Sequence, residues 1–156
     1  MSTSVSSANV PNDAGEWGPL LGRLLSRLGD PTRQYLDCGP GWYELLGTLE
    51  SQLSARAPGT TFITIEEQDG WLVLETQHEE PGTGSCVDAA VARAAHTCEL
   101  TGRPGVPMVN GPARRVLDPG TAPAGWKVSP EIHGSDPYDT VTVLLGAVNA
   151  LRSKLT

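Results

Sequence analysis

Residues 60–77 read Thr-Thr-Phe-Ile-Thr-Ile-Glu-Glu-Gln-Asp-Gly-Trp-Leu-Val-Leu-Glu-Thr-Gln. Two β-branched and apolar runs flank Gln68-Asp69-Gly70, and a short loop containing Asp-Gly between such runs is a strong β-hairpin signal. The stretch therefore predicts two antiparallel strands joined by a tight turn.

The two sides of this hairpin differ in polarity. Strict alternation places four apolar side chains where they can pack on helices: Ile63, Ile65, Leu72 and Leu74. Glu66 and Glu75 then lie on the opposite faces of their strands. One side of the hairpin is therefore predicted to be covered and the other to meet water.

Helical patterns surround the hairpin. Apolar residues recur at three- and four-residue intervals over 17–28, 42–53 and 87–98, and a fourth such pattern follows Asp136-Pro137 up to residue 155. Ser85 and Asp88 have the spacing of a capping box for the third helix. The predicted fold class is α+β, a β-hairpin or small antiparallel sheet packed with three to four helices.

The length of 156 residues suits one domain with a core that needs no disulfide or metal to fold. Residues 1–14 are poor in apolar side chains, so they are predicted to form a disordered tail before a single domain over 15–156. Prolines interrupt periodicity over 103–134, which leaves a loop-rich segment with short extended pieces at 106–109, 114–118 and 126–130.

Charge and hydropathy exclude several classes of protein. The chain has 11 Lys and Arg against 18 Asp and Glu, a formal net charge of −7, and no run of basic residues that could follow a phosphate backbone. Nucleic acid is therefore not expected as a partner. No apolar run is long enough to cross a bilayer, and an odd number of widely spaced cysteines suits a reducing compartment, so the cytoplasm is expected.

The residues able to carry nucleophilic chemistry do not form a set. The candidates are Cys38, Cys86 and Cys98 as nucleophiles and His78, His96 and His133 as bases. No spacing selects a pair, and no paired C-x-x-C motif indicates a metal site. The sequence thus predicts no catalytic residue, no metal and no cofactor. The glycines of Gly39-Pro40-Gly41 are interpreted as a helix-capping turn rather than a phosphate loop, because no strand precedes them and no Lys follows.

Three segments together resemble a group of small uncharacterised bacterial and phage proteins. The pattern of that group runs G-W-x-x-L-L, then K-E-K-F-G-x-L-R, then S-x-x-T-C-E-x-C-G-x-P-G. The matching segments here are Gly41-Trp42-Tyr43-Glu44-Leu45-Leu46, Glu66-Glu67-Gln68-Asp69-Gly70-Trp71-Leu72-Val73 and Thr97-Cys98-Glu99-Leu100-Thr101-Gly102-Arg103-Pro104-Gly105.

The resemblance implies a shared fold without a shared metal site. In that group the C-x-x-C looks like half of a zinc knuckle, completed by a later cysteine. Here Thr101 stands at the second position, and residues 116–118 contain no Cys. No catalytic residue is implied.

These observations favour a non-enzymatic domain that binds another protein, for example an inhibitor or immunity factor encoded on a mobile element. Two alternatives stay open: a small hydrolase or transferase using Cys38 or Cys86, and a degenerate zinc module built from Cys98, His96 or His133.

The predicted binding surface is the open side of the hairpin together with the 103–134 segment. Its candidate residues are Trp71, Trp126, Glu66 and Glu75, because aromatic side chains are enriched among interface anchors and carboxylates suit a basic partner. The reading that each Trp only covers the core also stays open.

Overall fold

The computed structural model describes residues 9–129. Within that range the chain forms three α-helices: α1 (Gly18–Leu25), α2 (Tyr43–Arg56) and α3 (Thr83–Ala94). The strands are β1 (Thr61–Gln68), β2 (Trp71–His78), β3 (Val106–Asn110), β4 (Ala113–Leu117) and β5 (Lys127–Val128). They form two antiparallel sheets, β1-β2 and β4-β3-β5. The α+β prediction is confirmed, whereas the helix predicted after Asp136-Pro137 and the candidate His133 lie outside the described residues.

The β1-β2 hairpin is the one predicted from residues 60–77. Asp69 and Gly70 have φ angles of 51° and 86°, the left-handed pair that defines a type I′ turn, whose twist matches that of the two strands. Residue Gln68 is therefore paired with Trp71, and the register continues with Glu66 opposite Val73.

The main core lies between the three helices and one face of the hairpin. Helix α2 packs against α1 and α3, and α3 also contacts β2. The side chains buried there from the helices and strands include Leu21, Leu24, Leu25, Leu45, Leu46, Leu49, Leu53, Phe62, Ile65, Leu72, Leu74, Val87, Ala90 and Val91. A second, smaller cluster of Cys98, Met108 and Leu117 lies under the three-stranded sheet.

One apolar residue of the hairpin does not follow the predicted alternation. The register shifts between Phe62 and Thr64, so β1 contains a bulge at Ile63. Phe62 and Ile65 are buried, while Ile63 is 45% exposed. The expectation that Ile63 shares the core face with Ile65 is wrong, because the extra residue turns Ile63 outward.

Two predictions about the third helix are also corrected. Helix α3 begins at Thr83 after Gly82 and ends at Ala94, so the Ser85 and Asp88 pair is not its capping box. Cys98 lies beyond the helix in a turn, where its backbone N–H donates to the carbonyl of Arg103. Cys98 is buried as predicted, but by the second cluster rather than on a helix face.

The segment before α1 contributes to the core as well. Ala14 is buried, Val10 packs against the main cluster, and the Tyr43 hydroxyl donates a hydrogen bond of 2.9 Å to Asp13. The packed part of the chain therefore extends back to Val10, within the stretch that the sequence assigns to a tail.

Candidate functional site

The candidate site is the outer face of the hairpin, opposite the core. Residues paired across two antiparallel strands point to the same side of the sheet. The register therefore places these side chains on one face: Thr64, Glu66 and Gln68 from β1, and Trp71, Val73 and Glu75 from β2. The bulged Ile63 adds an exposed apolar side chain. We call this set of seven residues the open face.

A pocket of about 460 Å³ lies at the turn end of the open face. Its lining combines the hairpin with the β3-β4 connection: Gln68, Asp69, Trp71, Val73, Pro112 and Arg114. The volume falls in the range of protein pockets that accept small molecules or single large side chains. The pocket is open to solvent, and its lining is half apolar (Trp71, Val73 and Pro112) and half polar or charged (Gln68, Asp69 and Arg114).

Close backbone packing sets the distance between the two walls of the pocket. A Cβ atom at Gly70 would lie 3.3 Å from the Cα of Arg115, so the hairpin turn rests on β4. Glycine is favoured at this position for two reasons: a side chain would crowd the Arg115 backbone, and the φ angle of Gly70 is positive. The pocket thus depends on segments that are about forty residues apart in the chain.

Glu99 connects three segments of the chain near the pocket through hydrogen bonds. Its carboxylate accepts a hydrogen bond of 2.9 Å from the Gly39 N–H, its carbonyl accepts one of 2.6 Å from the Gly41 N–H, and its own N–H donates to the carbonyl of Val116. The other carboxylate oxygen is buried without a hydrogen bond and faces the Arg115 guanidinium at 3.6 Å. Glu99 therefore joins the Gly39-Pro40-Gly41 turn to the second sheet.

The interpretation of the Gly39-Pro40-Gly41 turn agrees with these bonds. Pro40 begins a short 3₁₀ turn, Pro40–Trp42, that leads into α2. The N–H groups that an anion would need are donated to Glu99 instead. Sequence reasoning missed Glu99 as an anchor, because neither helical nor strand periodicity marks a residue whose contacts come from distant segments.

Glu67 lies at the turn end of β1, on the face of the hairpin opposite the open face, and its carboxylate is close to that of Glu99. Burial is the main cause that raises the pKa of Glu67, and the charge of Glu99 adds to it, although Arg115 and the Gly70 N–H act in the opposite direction. Carboxylates thus cluster beneath the turn, with Arg115 as the compensating cation.

The structure brings three of the four predicted site residues together. Trp71, Glu66 and Glu75 all belong to the open face, and Trp71 lines the pocket. Trp126 is half-buried and packs against the second cluster of Cys98, Met108 and Leu117, away from the pocket lining. Of the two readings of Trp126, its packing favours the one in which it covers the core.

Cys38 is surrounded by groups that oppose its ionisation. Burial, followed by the charges of Glu99, Asp37 and Glu67, raises the pKa of the Cys38 thiol to about 12. A nucleophilic cysteine needs the reverse environment, since the thiolate is the reactive form. Cys86 and Cys98 are each only 1% exposed. Thiol catalysis therefore finds little support in the described part of the chain.

Cys98 lies in a turn whose polar groups point at its sulfur. Burial by itself raises the pKa of Cys98, but hydrogen bonds from the Thr101 hydroxyl and from the backbone of Asp118, Thr101 and Leu100 lower it overall. Thr101 thus contacts the Cys98 sulfur, and it stands at the position where the bacterial and phage proteins that this chain resembles have the second cysteine of C-x-x-C. Among residues 9–129 no group of three or more His, Cys, Asp or Glu side chains could hold a metal ion.

At pH 8 we expect Cys38 of the folded protein to react with iodoacetamide at least tenfold more slowly than Cys38 of the urea-unfolded chain. The reason is that nearly all of the folded thiol is protonated. The raised pKa stabilises the folded state at and below pH 9, and that contribution is lost as the pH rises from 9 towards 12. Mass spectrometry of the alkylated Cys38 peptide measures the rate. Fast alkylation of the folded protein at pH 8 would contradict this environment.

Comparison of the chain with protein-family models, with curated proteins and with solved structures returned no match. None of the helices among the described residues is both long and apolar enough to cross a membrane.

Proposed function

We propose that this protein is a non-enzymatic domain that binds another protein through the open face of its hairpin. The observation that carries the proposal is the pocket at the end of that face, which Trp71 and Val73 line, with the carboxylates of Glu66 and Glu75 further along the same face. Aromatic side chains surrounded by polar and charged groups are enriched among the residues that dominate binding at protein interfaces.

The charge of the surface favours a basic partner. Glu66 and Glu75 lie on the open face and Asp69 lies in the turn beside it, against one cation, Arg114, in the pocket lining, on a chain whose net charge is −7. Such a surface steers cationic partners towards it and repels acidic ones. A cytoplasmic inhibitor or immunity factor of mobile-element origin, directed against a basic enzyme, fits this surface and the resemblance to phage proteins.

The enzymatic and zinc alternatives have less support. Ionisation of Cys38 is opposed by its neighbours, and the Cys98 sulfur already receives hydrogen bonds from Thr101 and the backbone. Neither observation favours thiol catalysis or zinc binding, so protein binding is the only function that we propose.

Affinity capture from the native host tests the proposal. The Glu66→Lys/Glu75→Lys protein should lose a partner that the wild-type protein retains, because two attractive charges become repulsive. The matched control is Glu16→Lys/Asp88→Lys, which makes the same change in net charge, from −7 to −7 + 4 = −3, at exposed positions outside the open face. Equal loss of the partner in both variants would indicate a net-charge effect, and retention in both would reject the open face as the binding surface.

A further inference from the structure

The outer face of the three-stranded sheet carries positive charge. Val109 of β3 pairs with Arg114 of β4 on one side and with Lys127 of β5 on the other, so the three side chains point the same way. Arg114 and Lys127 are exposed, and Val109 is half-buried between them. Neighbouring strands lie about 4.8 Å apart, so the backbones that carry the two cations are about 10 Å apart. We call these three residues the cationic row.

The cationic row begins at the wall of the pocket. Met108, the residue next to Val109 in β3, points to the opposite face and is buried in the second cluster. Val116 points to the same face as the row but is buried as well, so the exposed part of this face is the end that carries the row. Pro112 and Arg114 at this end line the pocket. The outer face of the second sheet and the open face of the hairpin therefore meet there.

The hairpin approaches the same pocket with negative charge. Asp69 lines the pocket itself. Measured along the strands, Glu66 lies about 7 Å and Glu75 about 13 Å from Trp71, the length of two and four extended residues. Asp37 forms a parallel bridge with Glu66 and is exposed, which adds another carboxylate on this side. The pocket is therefore the boundary between an acidic surface and a basic one.

A segment that crosses this boundary meets the two signs of charge in a fixed order. A large apolar side chain in the pocket would contact Trp71 and Val73. Basic residues on its hairpin side would lie beside Glu66 and Glu75, and acidic residues on its other side would lie beside the cationic row. A guanidinium has five N–H donors, so Arg114 can bind a carboxylate while it keeps contacts within the protein. Like charges placed together cost affinity, so the opposite order is selected against.

We propose that the partner binds across both surfaces, through a segment in which a large apolar residue stands between basic residues on one side and acidic residues on the other. The inference rests on the proposed function and specifies the chemistry of its partner. A uniformly basic segment would place like charge against the cationic row, so a basic target is selected by the acidic groups next to its apolar anchor. A second copy of the chain is disfavoured, because each copy has a net charge of −7.

Two peptides of identical composition test the order of charges. Each has one central phenylalanine, two glutamates and two lysines at alternate positions between serines. The bipolar peptide has both glutamates on one side of the phenylalanine and both lysines on the other, whereas the mixed peptide has one of each on both sides. In about 0.15 M salt, which screens charges beyond about 8 Å, we expect calorimetry to show at least fivefold tighter binding of the bipolar peptide. Equal affinities, or binding of neither peptide, would overturn the proposal.

Charge reversal on the protein separates the cationic row from net charge. The row variant, Arg114→Glu/Lys127→Glu, changes the net charge from −7 to −7 − 4 = −11, and its control, Arg23→Glu/Arg56→Glu, makes the same change at exposed positions of α1 and α2. The row variant should bind both peptides equally, whereas the control should keep the fivefold preference. Urea unfolding checks that both variants fold, and a row variant with glutamines in place of the glutamates should lower the preference below twofold. A preference that survives in the row variant, or is lost in the control, would reject the cationic row.

Capture of the host partner separates this inference from the proposed function. A partner that is lost by the Glu66→Lys/Glu75→Lys protein but retained by the row variant would leave the binding function standing and reject the order of charges. Loss by both proteins, with retention by the control of the row variant, would support both. A dimer in sedimentation that dissociates in the row variant would show that the cationic row binds a second copy of the chain, and the proposal would then fail.

Discussion

Replacing Glu50 by alanine is expected to lower the free energy of unfolding by about 3–5 kcal/mol, because it leaves a buried guanidinium without its counter-charge. The Arg27 Nε lies 2.8 Å from both Glu50 carboxylate oxygens, and the exposed fractions of the two side chains are 10% and 2%. Arg27 also donates to the carbonyls of Pro58 and Thr60. The pair thus joins the segment just after α1, the middle of α2 and the entry to β1.

A second glutamate of α2 is the matched control for this prediction. Glu44 pairs with Arg93 at 3.6 Å, but both side chains are largely exposed, at 59% and 44%. Exposed pairs contribute little because water screens them, so Glu44→Ala should cost less than about 1 kcal/mol. Urea denaturation of both variants measures the difference. Similar losses in the two proteins would show that the Arg27–Glu50 pair is not buried as described.

Truncating Ile65 should cost about 2–5 kcal/mol, whereas truncating Ile63 in the same strand should cost less than about 1 kcal/mol. Ile65→Ala removes methyl groups from the core and leaves a cavity between the hairpin and the helices. Ile63→Ala removes side-chain atoms that are already half in water, since Ile63 is 45% exposed against 4% for Ile65. The two changes are chemically identical, so their difference reports burial alone.

This pair of variants also distinguishes the observed bulge from regular alternation. A hairpin without the bulge would bury both isoleucines on one face, and the two alanine variants would then be destabilised equally. Chemical denaturation monitored by tryptophan fluorescence gives both free energies. Equal losses would contradict the register shift between Phe62 and Thr64.

The sequence by itself determined the elements whose signals are local. Asp69-Gly70 can adopt the two positive φ angles of a type I′ turn, so the hairpin was predictable from adjacent residues. Helices α1 and α2 follow from apolar spacing, and the extended pieces predicted at 106–109, 114–118 and 126–130 coincide closely with β3, β4 and β5. The same alternation predicted that Glu66 and Glu75 lie on the side of the hairpin opposite the core, and the register places them there.

Only the tertiary structure decided the features that depend on distant segments. Ile63 turns outward because the bulge lets β1 pair with β2 while its outer edge bonds to Arg27 and Asp37. Glu99 is an anchor because the turn at Gly39 and strand β4 meet around it, and no periodicity of its own neighbours signals that. The pocket exists because Gly70 rests on Arg115, which brings Pro112 and Arg114 to Trp71. Local patterns record which side of an element is apolar, but contacts between elements depend on packing, and a single sequence carries no separate signal for them.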